Sequence, residues 1–167
     1  MPRNALPRDE LLKVLADAPA QILTYTKDVS DEELHGAPGD AEWSANEVLA
    51  HLRSCADVWG GCIERILAED EPILRASSPR AEVNRKDYPE LPWSQSLTAY
   101  TRQRAKLLDI LRALTPKEWS RQATVTVAGA RHIRTVEFYA QWLAEHERPH
   151  IKQIKRIGAE MRRRRAR

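Results

Sequence analysis

The chain has 167 residues, of which 42% are hydrophobic and 31% are charged. This length suits one compact domain, and the balance of apolar and charged residues argues against a disordered chain. No apolar run approaches the roughly 20 residues that a membrane helix needs. Residues 1–10 also lack the apolar segment of a secretory signal. We therefore expect a cytoplasmic protein that does not associate with membranes.

The net charge of +3 comes from one end of the chain. Residues 161–167 read MRRRRAR, and without these five arginines the 27 basic residues become 22 against 24 acidic ones, a net charge of −2. This distribution predicts a near-neutral domain over residues 1–160 and a basic, disordered tail over residues 161–167. An arginine run can also dock on nucleic acid. No basic stripe with interleaved aromatic residues supports that alternative, so a nucleic-acid partner is not expected.

Apolar residues recur with a helical period in four segments. These segments cover residues 8–27, 44–68, 93–114 and 135–156. Pro19 predicts a kink or break in the first segment near Asp17, because proline removes a helical hydrogen bond. Capping boxes predict the start of the second long helix and of two short helical turns. They pair Ser44 with Glu47, Ser30 with Glu33 and Thr115 with Glu118.

Two connecting segments stand out between the predicted helices. Residues 71–92 are polar and contain several prolines, which predicts a connecting loop long enough to serve a function. Residues 124–136 alternate apolar and polar side chains around Gly129, which predicts a small hairpin or an extended loop. Four long helices with one long crossover connection predict an all-α fold, a four-helix bundle.

Three histidines occupy positions suited to metal binding. His146 and His150 are one turn apart in the apolar stripe of the last helix, and His51 lies at the margin of the stripe of the second helix. A buried imidazole needs a polar partner, and three converging imidazoles can meet that need by sharing one ion. The spacing predicts a three-histidine metal site with an open coordination position, although satisfied core histidines would give the same pattern.

The residues around these histidines resemble the DinB/YfiT-like family. On the second helix the likeness rests on Trp43-Ser44, followed by Glu47 and His51. On the last helix it rests on His146-Glu147-x-x-His150-x-x-Gln153. The likeness extends from the first helix to about residue 157, and Pro149, between the two histidines, is a departure from the motif.

This resemblance implies a bundle in up-down-down-up order and a divalent metal held by His51, His146 and His150. Zinc is the first expectation, with nickel or iron as alternatives, and homodimers are frequent in the family. Assigned family members include thiol-dependent transferases that use low-molecular-weight thiols such as mycothiol or bacillithiol. We therefore predict a metal-dependent enzyme acting on a small molecule, with a metal-stabilised binding or stress protein without turnover as the alternative.

Other interpretations of the same residues remain open. His146 to His150 also reads H-E-x-x-H, in which Glu147 would be the general base of a zinc peptidase. Pro149 and the absence of a third histidine after the motif disfavour that interpretation. Glu147 would otherwise be a surface residue or an acceptor for a ligand histidine. Cys55, one turn after His51, is interpreted as a buried apolar residue, with a fourth metal ligand as the alternative.

Aromatic and thiol side chains complete the candidate list. Trp59 and Trp142 are interpreted as core residues that alternatively wall a pocket beside the metal, and Gln153 as a hydrogen-bond partner near it. Cys55 and Cys62 lie seven residues apart on one predicted helix, hence about 10 Å apart, too far for a disulfide with each other. Their number and spacing are typical of a reducing compartment.

Overall fold

Four long helices form the protein, and the computed structural model describes residues 5–167 without the side chains of residues 84 and 85. The long helices are α1 Arg8–Thr26, α3 Ala45–Ala68, α5 Trp93–Ala113 and α7 Val136–Arg165. The predicted four-helix bundle is therefore confirmed. Residues 1–4 of the predicted domain lie outside the described residues. Within residues 5–167, none of the helices is long and apolar enough to cross a membrane.

Short elements fill the connections between these helices. The short helices are α2 Asp31–His35, α4 Pro79–Arg85 and α6 Pro116–Trp119, with a 3-10 turn at Tyr88–Glu90. The strands are β1 Ile73–Arg75, β2 Gln122–Val127 and β3 Ala130–Thr135. All three predicted capping boxes are present, at the starts of α2, α3 and α6.

The long helices run in up-down-down-up order. Helices α1 and α7 are parallel, because their first turns contact each other and so do their later parts. The pairs are Arg8 with Glu137 and Tyr25 with Arg162. Helices α3 and α5 are also parallel, through Arg53 with Ser96 and Glu64 with Lys106. Helix α3 is antiparallel to α7, through Trp43 with His150 and Trp59 with Trp142.

Helix α1 continues through Pro19, so the break predicted near Asp17 is wrong. Proline removes the hydrogen bond to the Leu15 carbonyl, but the residues around it face the bundle core. The buried set on α1 is Leu11, Leu15, Ala18 and Ile22, all 0% exposed. Burying side chains of this size stabilises the fold by about 1.5–3 kcal/mol each, which outweighs the loss of one hydrogen bond.

Residues 71–92 are an ordered cover on α3, where the sequence predicted a connecting loop. Strand β1 pairs in parallel with β2, with Ile73 opposite Thr124. Helix α4 is held to α3 by Ser54, whose hydroxyl donates to the Pro79 carbonyl at 2.6 Å. A three-residue strand is too short to show an alternating pattern, so the sequence could not reveal it.

The predicted hairpin over residues 124–136 is confirmed. Strands β2 and β3 pair antiparallel, from Gln122 opposite Thr135 to Val127 opposite Ala130. Ala128 and Gly129 form the two-residue turn, and both have positive φ, +47° and +84°. This left-handed backbone is the reason that a glycine occupies the turn. The hairpin ends at Thr135, whose side chain accepts a hydrogen bond from the Phe138 amide and begins α7.

The tail over residues 161–167, predicted to be disordered, is mostly helical, because α7 extends to Arg165. Met161 is buried, and the Arg162 guanidinium donates to the Tyr25 carbonyl at 3.0 Å. Arg164 bonds both Glu160 and the Pro38 carbonyl. Basic side chains at a helix C-terminus also interact favourably with the helix dipole. The arginines therefore bind the end of α1 and the α2–α3 connection.

Candidate metal centre

A helix cap on α3 and a four-residue spacing on α7 determine where the three histidines lie. At the start of α3, the Ser44 hydroxyl accepts from the Glu47 amide, and the Glu47 carboxylate accepts from the Ser44 amide at 2.7 Å. His51 follows one turn later. On α7, His146 and His150 are four residues apart and therefore leave the same face of the helix. Because α3 and α7 pack directly against each other, the structure brings all three rings together.

The three imidazole rings form a compact cluster. Their centroids are separated by 5.2 Å for His51 and His146, 5.0 Å for His51 and His150, and 4.8 Å for His146 and His150. The Nε2 atoms of His51 and His146 are 2.9 Å apart. Two nitrogens at 2.0–2.1 Å from one ion lie about 2.9–3.4 Å apart for octahedral to tetrahedral angles. This pair is therefore spaced as two ligands of one ion would be.

Cys55 adjoins the same ring nitrogen of His51 that faces His146. Its sulfur is 3.6 Å from the His51 Nε2, and ligand atoms of His51, Cys55 and His146 all lie within 4.8 Å of one another. The thiol is 1% exposed, and burial raises its pKa to about 12. Without a metal it is therefore a neutral thiol at pH 7, packed as the small buried residue that the sequence predicted.

All three histidines are held in the neutral form. Burial lowers the pKa of His51 and that of His146 to about 4, and it also lowers the pKa of His150. Repulsion from the neighbouring rings and from the Arg80 guanidinium adds to the effect at His51. Neutral imidazole is the form that binds a metal, so the cluster needs little further deprotonation at pH 7 to accept an ion.

The rings are oriented by their surroundings. His150 Nδ1 donates to the Gln153 side-chain oxygen at 3.1 Å, which leaves its Nε2 lone pair free. Trp43 stacks on His150 at 6.3 Å and meets His51 edge-on, and Trp59 meets His146 edge-on at 5.0 Å. The predicted role of Gln153 beside a ligand histidine therefore has a geometric basis. His51 Nδ1 is buried without a hydrogen-bond partner among the described residues.

Trp142, predicted to lie in the core, is 44% exposed. It packs between Phe138 and Trp59 on the outside of the bundle, and Trp59 in turn contacts His146. The apolar stripe of α7 is therefore narrower than the sequence suggested. Trp59 is half-buried beside the histidine cluster, in the position of a wall rather than of the central core.

A cavity of about 230 Å³ opens next to His51. Its walls come from the start of α3 and from the segment that covers it. The lining residues are Trp43, Glu47, His51, Arg80, Val83 and Pro89. The long connection at residues 71–92, which the sequence singled out as functional, thus forms one side of the space beside the histidines.

Glu147 is not the surface residue that the sequence suggested, and its hydrogen-bond partners among the described residues are not histidines. It is 1% exposed and forms a buried ion pair with Arg104, which is also 1% exposed. The Tyr100 hydroxyl donates to the same carboxylate at 2.7 Å. Glu147 is therefore bound to α5, and in this arrangement it is not placed as the general base of a peptidase. Arg104 was missed because nothing in the local sequence distinguishes it from the exposed residues of an amphipathic helix.

The donor set fits a divalent metal. Two histidine nitrogens are at ligand spacing, a third neutral ring and a thiol adjoin them, and a cavity gives access to His51. A four-helix bundle with inward-facing ligands from two facing helices is an established architecture for metal sites. The fold and the cluster together therefore define a candidate metal-binding bundle.

The chain belongs to the DinB superfamily, whose family model matches residues 14–154. Among solved structures, YfiT from Bacillus subtilis is similar, with a TM-score of 0.79 and 22% sequence identity. The match covers 96% of this chain and 93% of YfiT, which is described as a probable metal-dependent hydrolase with an unusual four-helix bundle topology. The search of curated proteins found no match. The family and fold expected from the His51 and His146–Gln153 motifs are confirmed.

Replacing Glu147 with leucine should destabilise the protein by about 3–5 kcal/mol, because it leaves the Arg104 charge buried and unpaired. The double variant Glu147→Leu/Arg104→Met should lose less stability than the single variant. Urea unfolding at pH 7.5 measures both. The exposed pair of Glu64 and Lys106 provides the control, since Glu64→Gln should cost no more than about 1 kcal/mol. A stable Glu147→Leu protein would contradict the buried pair and reopen the peptidase interpretation.

The metal-free protein should lose stability as the pH falls from about 6.5 towards 4. In this pH window the histidines of the unfolded chain bind protons. In the folded protein His51 and His146 each have a pKa of about 4 and therefore remain neutral. The free energy of unfolding is therefore highest above pH 6.5 and decreases below it. Urea unfolding between pH 6.5 and 5, above most carboxyl titrations, measures the slope. The slope should be smaller in His51→Gln/His146→Gln, and an equal slope would contradict the assignment.

Proposed function

We propose that this chain is a metal-dependent enzyme whose divalent ion is held by His51, His146 and His150. The observation that carries the proposal is the convergence of three neutral imidazole rings from α3 and α7 within 5.2 Å of one another. Zinc is the ion we propose first, with nickel and iron as alternatives, since three nitrogen ligands suit all three metals. Three protein ligands leave an open position for a nucleophile or a substrate.

In such a site the ion would supply Lewis acidity and lower the pKa of a bound water or thiol. The protein groups have separate tasks. Burial keeps the histidines neutral, Gln153 holds the His150 ring, and Trp43 and Trp59 exclude water from two sides. The cavity beside His51 admits a small molecule. Glu147, which follows His146, is paired with Arg104 and is therefore not available as a base.

Two reaction classes follow from this arrangement. The likeness to YfiT, a probable metal-dependent hydrolase, supports transfer of a group to water. The resemblance of the motifs to thiol-dependent transferases supports transfer to a low-molecular-weight thiol. Both reactions use a nucleophile activated at the same open position. We further propose a homodimer in the cytoplasm, as the family resemblance and the sequence composition suggest.

Purified, tag-free protein should contain about one divalent ion per chain, and His146→Ala should retain little. Loss of one of three nitrogen ligands weakens binding and opens the site to water. Elemental analysis after incubation with zinc or nickel at neutral pH measures the content. His132→Ala on β3 is the matched control, since His132 is far from the cluster in the hairpin, and it should bind as the wild type does. Equal metal content in all three proteins would contradict the proposed ligands.

A second candidate is a metal-stabilised protein without turnover. The observation that favours it is the position of Cys55, whose sulfur lies 3.6 Å from His51 Nε2. A metal lowers the pKa of a thiol that binds it, so Cys55 could become a fourth ligand despite its raised pKa. Four protein ligands would close the coordination sphere and make the site structural.

Cobalt substitution separates the two candidates. If the site is open, the cobalt-loaded wild type and Cys55→Ser should have the same near-ultraviolet spectrum, without a thiolate-to-cobalt band. An intense band that disappears in Cys55→Ser would establish the closed site. Cys62→Ser is the control, because Cys62 lies two turns further along α3 and is not in the ligand cluster. We expect the open site.

A further inference from the structure

Arg80 is the basic residue that lines the cavity beside His51. It lies in the first turn of α4, and its guanidinium carbon is 5.4 Å from the centre of the Trp43 ring. Trp43 in turn contacts both His51 and His150. One tryptophan thus joins the cation to the histidine cluster, and Arg80 is close enough to lower the pKa of each of the three histidines.

The position of Arg80 is built into the fold. The preceding carbonyl, that of Pro79, accepts a hydrogen bond from Ser54, which is 0% exposed on α3. Further along the same segment, the Tyr88 hydroxyl donates to Asp57 at 2.6 Å. Two side chains of α3, one buried and one half-buried, therefore hold this segment at the first residue of α4 and again at Tyr88, just after α4. The Arg80 side chain is exposed, but these contacts fix its backbone position at the rim of the cavity.

Arg80 has no carboxylate partner among residues 5–167. Some arginines of the described chain pair with acids, as Arg65 does with Glu69 and Arg156 with Glu42, but Arg80 is not one of them. Glu47 lines the same cavity, but its carboxylate accepts from the Ser44 amide and is not within ion-pair distance of Arg80. Among the described residues, Arg80 contacts the face of Trp43, which leaves the guanidinium donors available.

The charges around the cavity do not balance once an ion is bound. Three neutral histidines leave the charge of a divalent ion uncompensated, and Arg80 adds another positive charge. Glu147, the buried acid that follows His146, is already neutralised by Arg104. Of the residues that line the cavity, only Glu47 is acidic. An anionic ligand between the ion and Arg80 would relieve this repulsion.

We propose that Arg80 determines substrate specificity by binding a carboxylate or phosphate group while the reactive end of the same molecule lies at the metal. The planar guanidinium suits two-point binding of either oxyanion. The cavity of about 230 Å³ restricts the substrate to a small molecule, and the Trp43 ring offers an apolar contact between its ends. This inference rests on the proposed metal-dependent function and names the class of substrate for it.

Hydroxamates that differ only at the far end test the proposal. The probes are the monohydroxamate of succinic acid, its carboxamide and its phosphonate analogue, each titrated by calorimetry into zinc-loaded protein. The hydroxamate group binds the ion in every probe. Wild type should bind one of the two anionic probes about tenfold more tightly than the carboxamide, and Arg80→Gln should bind all three alike. Arg75→Gln on β1 is the matched control and should behave as the wild type.

The anion that wild type prefers identifies the class of substrate. Tighter binding of the carboxylate probe would indicate a carboxylic acid, and tighter binding of the phosphonate probe would indicate a phosphate ester. Equal affinity of wild type for all probes would overturn the role of Arg80, and so would an anion preference that survives in Arg80→Gln. In both cases the carboxamide would still bind, so the metal centre would stand. If zinc-loaded wild type binds none of the probes, the open metal site fails, and the inference fails with it.

Discussion

The buried polar groups of α7 must each find a partner inside the bundle, and the arrangement of the other helices follows from that constraint. His146 and His150 face α3, where His51 meets them, and Glu147 faces α5, where Arg104 and Tyr100 meet it. An unpaired charge or imidazole in this interior would cost more than most single apolar contacts contribute. Two neighbouring positions, 146 and 147, thus attach α7 to two different helices.

These polar residues of α7 thus form two separate groups, the histidine cluster and the ion pair that joins α7 to α5. The ion pair of Arg104 and Glu147 lies in the interior, where the opposite charges face each other and the Tyr100 hydroxyl donates to the carboxylate. The histidine cluster lies towards the segment at residues 71–92 and borders the cavity next to His51. Glu147 is neutralised by Arg104, and no carboxylate of the described residues offsets the effect of burial on His51 and His146. Burial can then keep them neutral and ready to bind an ion.

The segment at residues 71–92 packs on the outside of α3 beside the histidine cluster. Its contacts with Ser54 and Asp57 attach it to the same helix that carries His51. The segment is therefore attached to the helix that carries one histidine of the cluster, and its side chains reach the cavity from a defined direction. In a bundle of shared fold, such a connection can change the substrate while the histidines stay the same, since loops carry specificity on a rigid scaffold.

Much of the fold could be predicted from the sequence because the patterns that indicate it involve residues close together in the chain. The apolar period and the capping boxes at Ser30, Ser44 and Thr115 depend on residues three or four apart, and all three boxes are present. The spacing of His146 and His150 placed both rings on one helix face, and the motif around His51 indicated the family. The hairpin turn at Ala128 and Gly129 could likewise be predicted from the glycine and the alternating residues beside it.

Tertiary structure decided what depends on partners distant in sequence. Pro19 stays helical because α1 is buried on the bundle, and residues 161–165 are helical because Arg162 and Arg164 find carbonyls near Tyr25 and Pro38. Glu147 is buried because Arg104, 43 residues earlier, offers an opposite charge. Periodicity reports whether a helix has an apolar face, but a polar residue near its margin can be buried or exposed. The residue that packs against it decides which, and here Arg104 holds Glu147 in the core while His146 lies in the histidine cluster.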